Sequence, residues 1–230
     1  MESYEQRVVA YADIVGWRAA CQDPSRYSQL RNAAQAIASY ARNFSQEIKG
    51  KVERIKDTVP VSLVEEHASF EFSFFSDNFA VSAPSRYADQ LFKILAFACN
   101  SLLRANFLVR GGVTLGALHH HDNLLFGPAL IEAVDLEGLA SYPRLLCSPS
   151  LVEFLVATSY RDHVIIRDRE QDWVANIACG GPDALRDLNG VLEGELTTLR
   201  LNGTEKAVGK WSYLQDMLPR MYQAKGHSRD

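Results

Sequence analysis

Between residues 7 and 118 the apolar residues switch repeatedly between strand-like runs and helical spacing, and that order leaves few folds open. Residues 7–15 form a Val-containing buried run that stops at Gly16. From Ser25 to about Lys56, Leu30, Ala33, Ala34, Ile37, Tyr40, Ala41, Phe44 and Ile48 recur at intervals of three and four, as on one face of a helix. A hairpin follows, with arms at 69–75 and 79–83 turning around Ser76-Asp77-Asn78. Pro84 and Ser85 then open a helix near 85–105, apolar at Leu91, Ile94, Leu95, Ala98, Leu102 and Leu103. A strand over 107–118 completes the order β-α-β-β-α-β. It predicts an α+β fold of ferredoxin-like type, a mixed sheet with helices on one face.

Beyond this core the pattern gives a polar tip at His119 to Asn123, a short return through 124–126, a helix over 128–140, a strand at 144–147 and a helix at 149–157. Segments 164–168 and 172–176 read as a further hairpin, and two polar helices, about 182–200 and 203–220, follow. In the last, Trp211, Tyr213, Leu214 and Met217 share a helical face suited to packing on the sheet. With 230 residues, 47% of them hydrophobic, the expectation is one domain, its core about 7–150 and a C-terminal extension about 151–230. A formal charge of -4 with scattered Lys and Arg argues against a nucleic-acid partner. The acidic start Met1-Glu2-Ser3-Tyr4-Glu5 is no secretion signal, and no apolar run is long enough to span a bilayer, so a cytoplasmic protein without membrane association is expected. The four cysteines, Cys21, Cys99, Cys147 and Cys179, form no Cys-x-x-Cys pair and read as reduced packing residues. His119-His120-His121 alternate across an extended segment, so they do not converge on one ion; a polar hairpin tip is the expected setting.

Two carboxylates stand out against this background. Asp13 is alone in Val8-Val9-Ala10-Tyr11-Ala12-Asp13-Ile14-Val15, and Asp77 sits at the turn of the aromatic hairpin. A lone carboxylate among such neighbours is protonated, or is compensated by a cation or dedicated hydrogen bonds. Each Asp taken singly could be a turn or helix cap; the pair, at the ends of neighbouring strands, suits a divalent hard ion such as Mg²⁺ or Mn²⁺ carrying substrate phosphates. The strand Val109-Arg110-Gly111-Gly112-Val113-Thr114-Leu115-Gly116 adds a permanently charged fork suited to phosphate oxygens, and glycines where a backbone or ligand comes close.

Taken in order, these segments resemble the class III nucleotidyl cyclase catalytic domain. The resemblance rests on Tyr11-Ala12-Asp13-Ile14-Val15-Gly16-Trp17, on Phe75-Ser76-Asp77-Asn78, on the Arg-x-Gly-x-x-x-Gly strand from Arg110 to Gly116, and on Gly127 through Leu136-Glu137. It covers about residues 7–150. Where adenylate and guanylate cyclases of that class carry an Asn and, four residues later, an Arg, this chain has Ile131 and Asp135. Arg110 to Gly116, Phe126-Gly127-Pro128-Ala129-Leu130, Leu136-Glu137 and Ala140-Ser141-Tyr142-Pro143-Arg144 look more like the pyrimidine cyclases of bacterial Pycsar anti-phage systems.

The resemblance implies a homodimer, with active sites at the interface, that converts UTP to 3′,5′-cyclic UMP and pyrophosphate after phage infection; the product then activates a separate effector. It implies two divalent ions, Mn²⁺ or Mg²⁺, bridged by Asp13 and Asp77 with the backbone carbonyl of Ile14 as a further ligand, and Arg110 on the β- or γ-phosphate. Tyr11, Ile14, Gly16 and Arg110 are the expected nucleotide-contacting positions, Tyr11 being equally readable as a core aromatic. Arg144 and Arg104 are the candidates to replace the absent arginine. The alternatives are a cytidylate cyclase using CTP, a purine nucleotidyl cyclase, and a catalytically silent nucleotide-binding dimer.

Overall fold

The structure, a computed structural model, describes residues 4–55, 70–121, 124–158, 164–178 and 182–225. Strand β1 (Glu5–Val15) runs antiparallel between β3 (Asn78–Pro84) and β4 (Leu108–His121). β2 (Glu71–Phe75) lies outside β3, with which it forms the expected hairpin. On the other side β4 pairs in parallel with β6 (Leu145–Cys147), which is followed by β8 (Trp173–Ala175) and β7 (Ile165–Arg167). β5 (Leu124–Phe126) folds back on the end of β4. The result is the mixed sheet of an α+β fold, in the order β2-β3-β1-β4-β6-β8-β7.

β1 is buried on both faces, and its two-residue period assigns them. Val8, Ala10, Ala12 and Ile14 enter the larger core beneath α2 (Pro24–Ile55) and α3 (Ala88–Arg104), which supply Leu30, Ile37, Leu91, Ile94 and Leu95. Val9 and Tyr11 point the other way, toward Ala129 and Ala133 of α4 (Pro128–Leu139). Helices on one face therefore describes α2 and α3, while α4 crosses the opposite face. The glycines of β4 make this possible. A Cβ at Gly112 would lie 2.3 Å from the carbonyl oxygen of Ala133 and 2.5 Å from Leu136 Cβ, and one at Gly116 would lie 3.2 Å from Ala129 Cβ. The close approach expected of these glycines is that of a helix onto bare strand.

Two further departures have simple causes. Gly16, with φ 89, turns the end of β1 directly into a short helix, α1 (Trp17–Gln22), where the sequence pattern predicts only a break. The histidine triplet is not a polar tip: β4 continues through His121, paired with β5, and His120 is 2% exposed. Its ring lies between Ser73 Oγ and Ser82 Oγ, each 2.9 Å away, so two hydroxyls satisfy what would otherwise be an unpaired buried imidazole. Asp122 and Asn123 lie outside the described residues, as does Cys179. Cys21 and Cys147 are free thiols, and Cys99 is buried.

After α5 (Pro149–Ala157) and the β7–β8 hairpin, α6 (Pro182–Asn202) and α7 (Glu205–Lys225) pair with each other. They form a second core in which Leu188, Leu192, Leu196, Trp211, Tyr213, Leu214 and Met217 meet Leu146, Ile166 and Val174 of the sheet. The helical stripe read from Trp211 to Met217 is buried, as expected. No helix among the described residues is long and apolar enough to cross a membrane.

Candidate active site

The site is built where β1 and β4 pair face to face. Register sets Asp13 opposite Arg110 on one side and Asn78 on the other, and directly opposed residues of antiparallel strands share a face. Arg110 Nε donates to Asp13 Oδ2 at 3.0 Å. Arg110 Nη2 stands 2.8 Å from Glu137 Oε1 of α4, charge against charge but off the hydrogen-bond direction, so that this buried oxygen has no hydrogen-bond donor. The β2–β3 turn brings in Asp77. Ser76 takes a left-handed conformation, φ 55, in the two-residue loop, and the carbonyl of Asp77 accepts from Ile14 N at 2.7 Å, tying the turn to β1. Asn78 Nδ2 donates to Asp77 Oδ1 at 2.9 Å.

Electrostatics show that these groups act on one another. Burial raises the carboxyl of Glu137; Arg110 opposes the rise, and Asp13 and Asp77 add to it. Burial likewise raises the Tyr11 hydroxyl, with Glu137, Asp13 and Asp77 adding to the effect. Three carboxylates against the Arg110 guanidinium, with the Lys210 ammonium acting on Asp13 from the neighbouring helix, still leave a local excess of negative charge, which is a setting for a cation. The oxygen donors Asp13 and Asp77, with main-chain carbonyls beside them, match a hard divalent ion. Among the described residues no group of three or more His, Cys, Asp or Glu forms a cage, and Mg²⁺ ordinarily keeps positions for water and substrate phosphate.

No protein-family model matches this chain, and no curated protein matches it in sequence. Solved structures do. The catalytic core of a rhodopsin-guanylyl cyclase with converted specificity, in complex with ATPalphaS, superposes with a TM-score of 0.50 at 12% identity, covering 76% of this chain and 97% of that one. The chain has the fold of a guanylyl cyclase catalytic core. The adenylyl cyclase CyaB from P. aeruginosa is also similar, with a TM-score of 0.48 and 13% identity over 80% of this chain and 99% of that one.

On this cyclase fold the residues singled out in the sequence separate into groups. Asp13, Asp77 and Arg110 come together, and Tyr11 shares their face, half-buried with its ring 6.3 Å from that of Phe75. The side chain of Ile14 is buried in the opposite core, so only its backbone can reach the site. Gly16 lies on the rim of a neighbouring cavity. The two arginine candidates are engaged elsewhere. Arg144 is 6% exposed and ion-paired to buried Asp168 and to Asp172, and Arg104 pairs with Asp187 at 2.7 Å. Arg144 is a packing cation of the fold, compensating the buried charge of Asp168. Ile131 and Asp135 are both exposed on α4.

Glu137 was readable only as part of a motif. Its spacing holds a further signal, since 129, 133 and 137 lie four apart on the stripe that faces the sheet. Lys206 and Lys210, which line that cavity, carried no local signal, because α7 reaches β1 only through the tertiary fold.

Proposed function

We propose that this chain is a metal-dependent nucleotidyl cyclase acting on a pyrimidine nucleoside triphosphate, UTP with CTP as the alternative, and releasing a 3′,5′-cyclic nucleotide and pyrophosphate. The observation that carries the reading is the apposition of Asp13, Asp77 and Arg110 at one end of the β1–β3–β4 sheet, on a fold shared with a guanylyl cyclase core. The pyrimidine preference is supported by the sequence resemblance to Pycsar cyclases and by Ile131 and Asp135 on α4, where purine cyclases of the class carry an Asn and an Arg. The same resemblance supports a second messenger of anti-phage defence, read by a separate effector, and a homodimer. Ile131 and Leu139 on α4, at 64% and 68% exposure, are apolar surface suited to such a contact.

In this reading Asp13, Asp77 and the Ile14 carbonyl would hold two divalent ions, Mn²⁺ or Mg²⁺, which would supply charge neutralisation for the triphosphate and a lower pKa for the ribose 3′-hydroxyl. The reaction forms a bond from the 3′-oxygen to the α-phosphorus, breaks the bond from that phosphorus to the bridging oxygen, and releases pyrophosphate and the hydroxyl proton. Arg110, aligned by Asp13 and Glu137, offers its fork to the β- or γ-phosphate and offsets charge on the leaving group. Tyr11 faces the nucleotide from the same strand.

The test is incubation of purified protein with Mn²⁺ and each of UTP, CTP, ATP and GTP, with products resolved by mass, beside Asp77→Asn. Cyclic UMP formed by the wild type and lost in the variant is the expected result. Cyclic CMP would select the cytidylate alternative, a purine product would move the chain to the purine cyclases, and no product from any triphosphate would leave the silent nucleotide-binding dimer.

A further inference from the structure

A cavity of about 290 Å³ opens beside the end of β1, between the sheet and the C-terminal helices. Gly16 forms part of its rim, where its positive φ of 89, not a close contact, calls for glycine. The walls carry three cations and one carboxylate: Arg26 of α2, Lys206 and Lys210 of α7, and Glu195 of α6. Arg26 is fixed in place, donating to the carbonyl of Asn106 at 3.1 Å and lying over the Phe107 ring at 4.8 Å. Neither lysine is ion-paired among the described residues.

The chain itself joins this cavity to the carboxylate site: Val15 and Gly16, two and three residues beyond Asp13, line it together with Lys206 and Lys210. Burial depresses the Lys210 ammonium, with Arg110 and Lys206 adding to the effect and Asp13 opposing it. A volume of about 290 Å³ leaves room for phosphate groups and part of their hydration. A partly enclosed wall of like charges concentrates anions, and an ammonium serves phosphate as a point charge without demanding one geometry.

We propose that this cavity is a polyphosphate subsite, in which Lys206 and Lys210 of the C-terminal extension receive the terminal phosphates of the substrate and the pyrophosphate product. It deepens the cyclase reading and rests on it. The extension is then part of the catalytic unit: one chain supplies both Asp13 and the cations that hold the leaving group.

Titration calorimetry with inorganic tripolyphosphate, on the full chain at 150 mM salt without metal or nucleotide, tests the subsite apart from turnover. The Lys206→Met/Lys210→Met double variant should bind about tenfold more weakly or worse, and Glu195→Gln, which removes the opposing charge, should bind severalfold more tightly. In turnover assays the lysine variants should raise KM more than they lower kcat. Tripolyphosphate binding that is unchanged in the double variant overturns the subsite, even if the wild type cyclises nucleotides. If the double variant does not fold, Glu195→Gln decides alone, and binding that fails to tighten overturns it. Lysine-dependent binding by a wild type that forms no cyclic nucleotide would leave an anion site but remove the cyclase reading, and with it the assignment to substrate.

Discussion

Arg110 stands between two acids that it serves differently. Asp13 gives it a directed hydrogen bond, whereas Glu137 offers charge without a matching hydrogen-bond direction. An arginine held this way keeps donors for a phosphate, and the carboxylate pair beside it has charge to spare for an ion. Asp13→Asn and Asp77→Asn should therefore each lower kcat/KM by about a thousandfold or more while leaving the fold intact, as thermal melts of each variant would check. His120 gives a residue-scale prediction about stability. Its burial, then the nearby positive charges of Arg7, His121 and His119, lower its pKa from 6.5 to about 4. An unfolded histidine takes a proton as pH falls below 6.5, and the folded one does not until about pH 4, so stability holds above that window and declines within it. About 3 kcal/mol should be lost by pH 4 from this residue. Urea titrations between pH 7.5 and 4.5 on wild type and His120→Gln check this: the variant should lose less stability across the range, and equal slopes would remove His120 from the account.

At the scale of elements, the contact of α4 with β4 decides how the site is assembled. Ala129, Ala133 and Glu137 are successive positions of one helical stripe, and the two alanines let the helix settle on Gly112 and Gly116 until Glu137 reaches Arg110. Gly112→Ala puts a methyl group against the Ala133 carbonyl and should cost about 3 kcal/mol, with loss of activity as Glu137 is displaced. Gly138→Ala, at the far end of the same helix with open space around it, should stabilise by up to about 1 kcal/mol. Denaturant unfolding of the two variants gives opposite signs if the helix packs as described. The glycine pattern of β4 was legible as a need for close approach. That the approaching partner is a helix on the face away from α2 and α3 was not, since a bare strand face accepts a helix, a second sheet or a ligand equally.

For the molecule as a whole, the C-terminal helices are fastened to the sheet through Asp168, which takes Arg144 and the Tyr213 hydroxyl, the latter at 2.8 Å, while Tyr142 and Tyr213 stack at 4.7 Å. Burial raises the Asp168 carboxyl, but the hydrogen bonds from Arg144 and Tyr213 prevail and hold it below the ordinary range. Tyr213→Phe should cost about 2 kcal/mol by removing one donor from a buried carboxylate, measured as a lower urea midpoint with an unchanged slope. If α7 also supplies the phosphate-binding lysines, the same change should raise the KM for nucleotide, because the helix that carries Lys206 and Lys210 is less firmly placed. Apart from the short α1, the order of strands and helices, and the positions of Asp13, Asp77 and Arg110 along it, were determined by sequence alone: apolar periodicity and isolated charges are local properties, written within a few residues of each other. Which face α4 covers, the burial of His120 between two serines, the commitment of Arg144 to Asp168 and the arrival of Lys206 and Lys210 beside the end of β1 were decided only by the tertiary structure. Each joins residues distant in the chain, and local spacing does not encode which distant partners will meet.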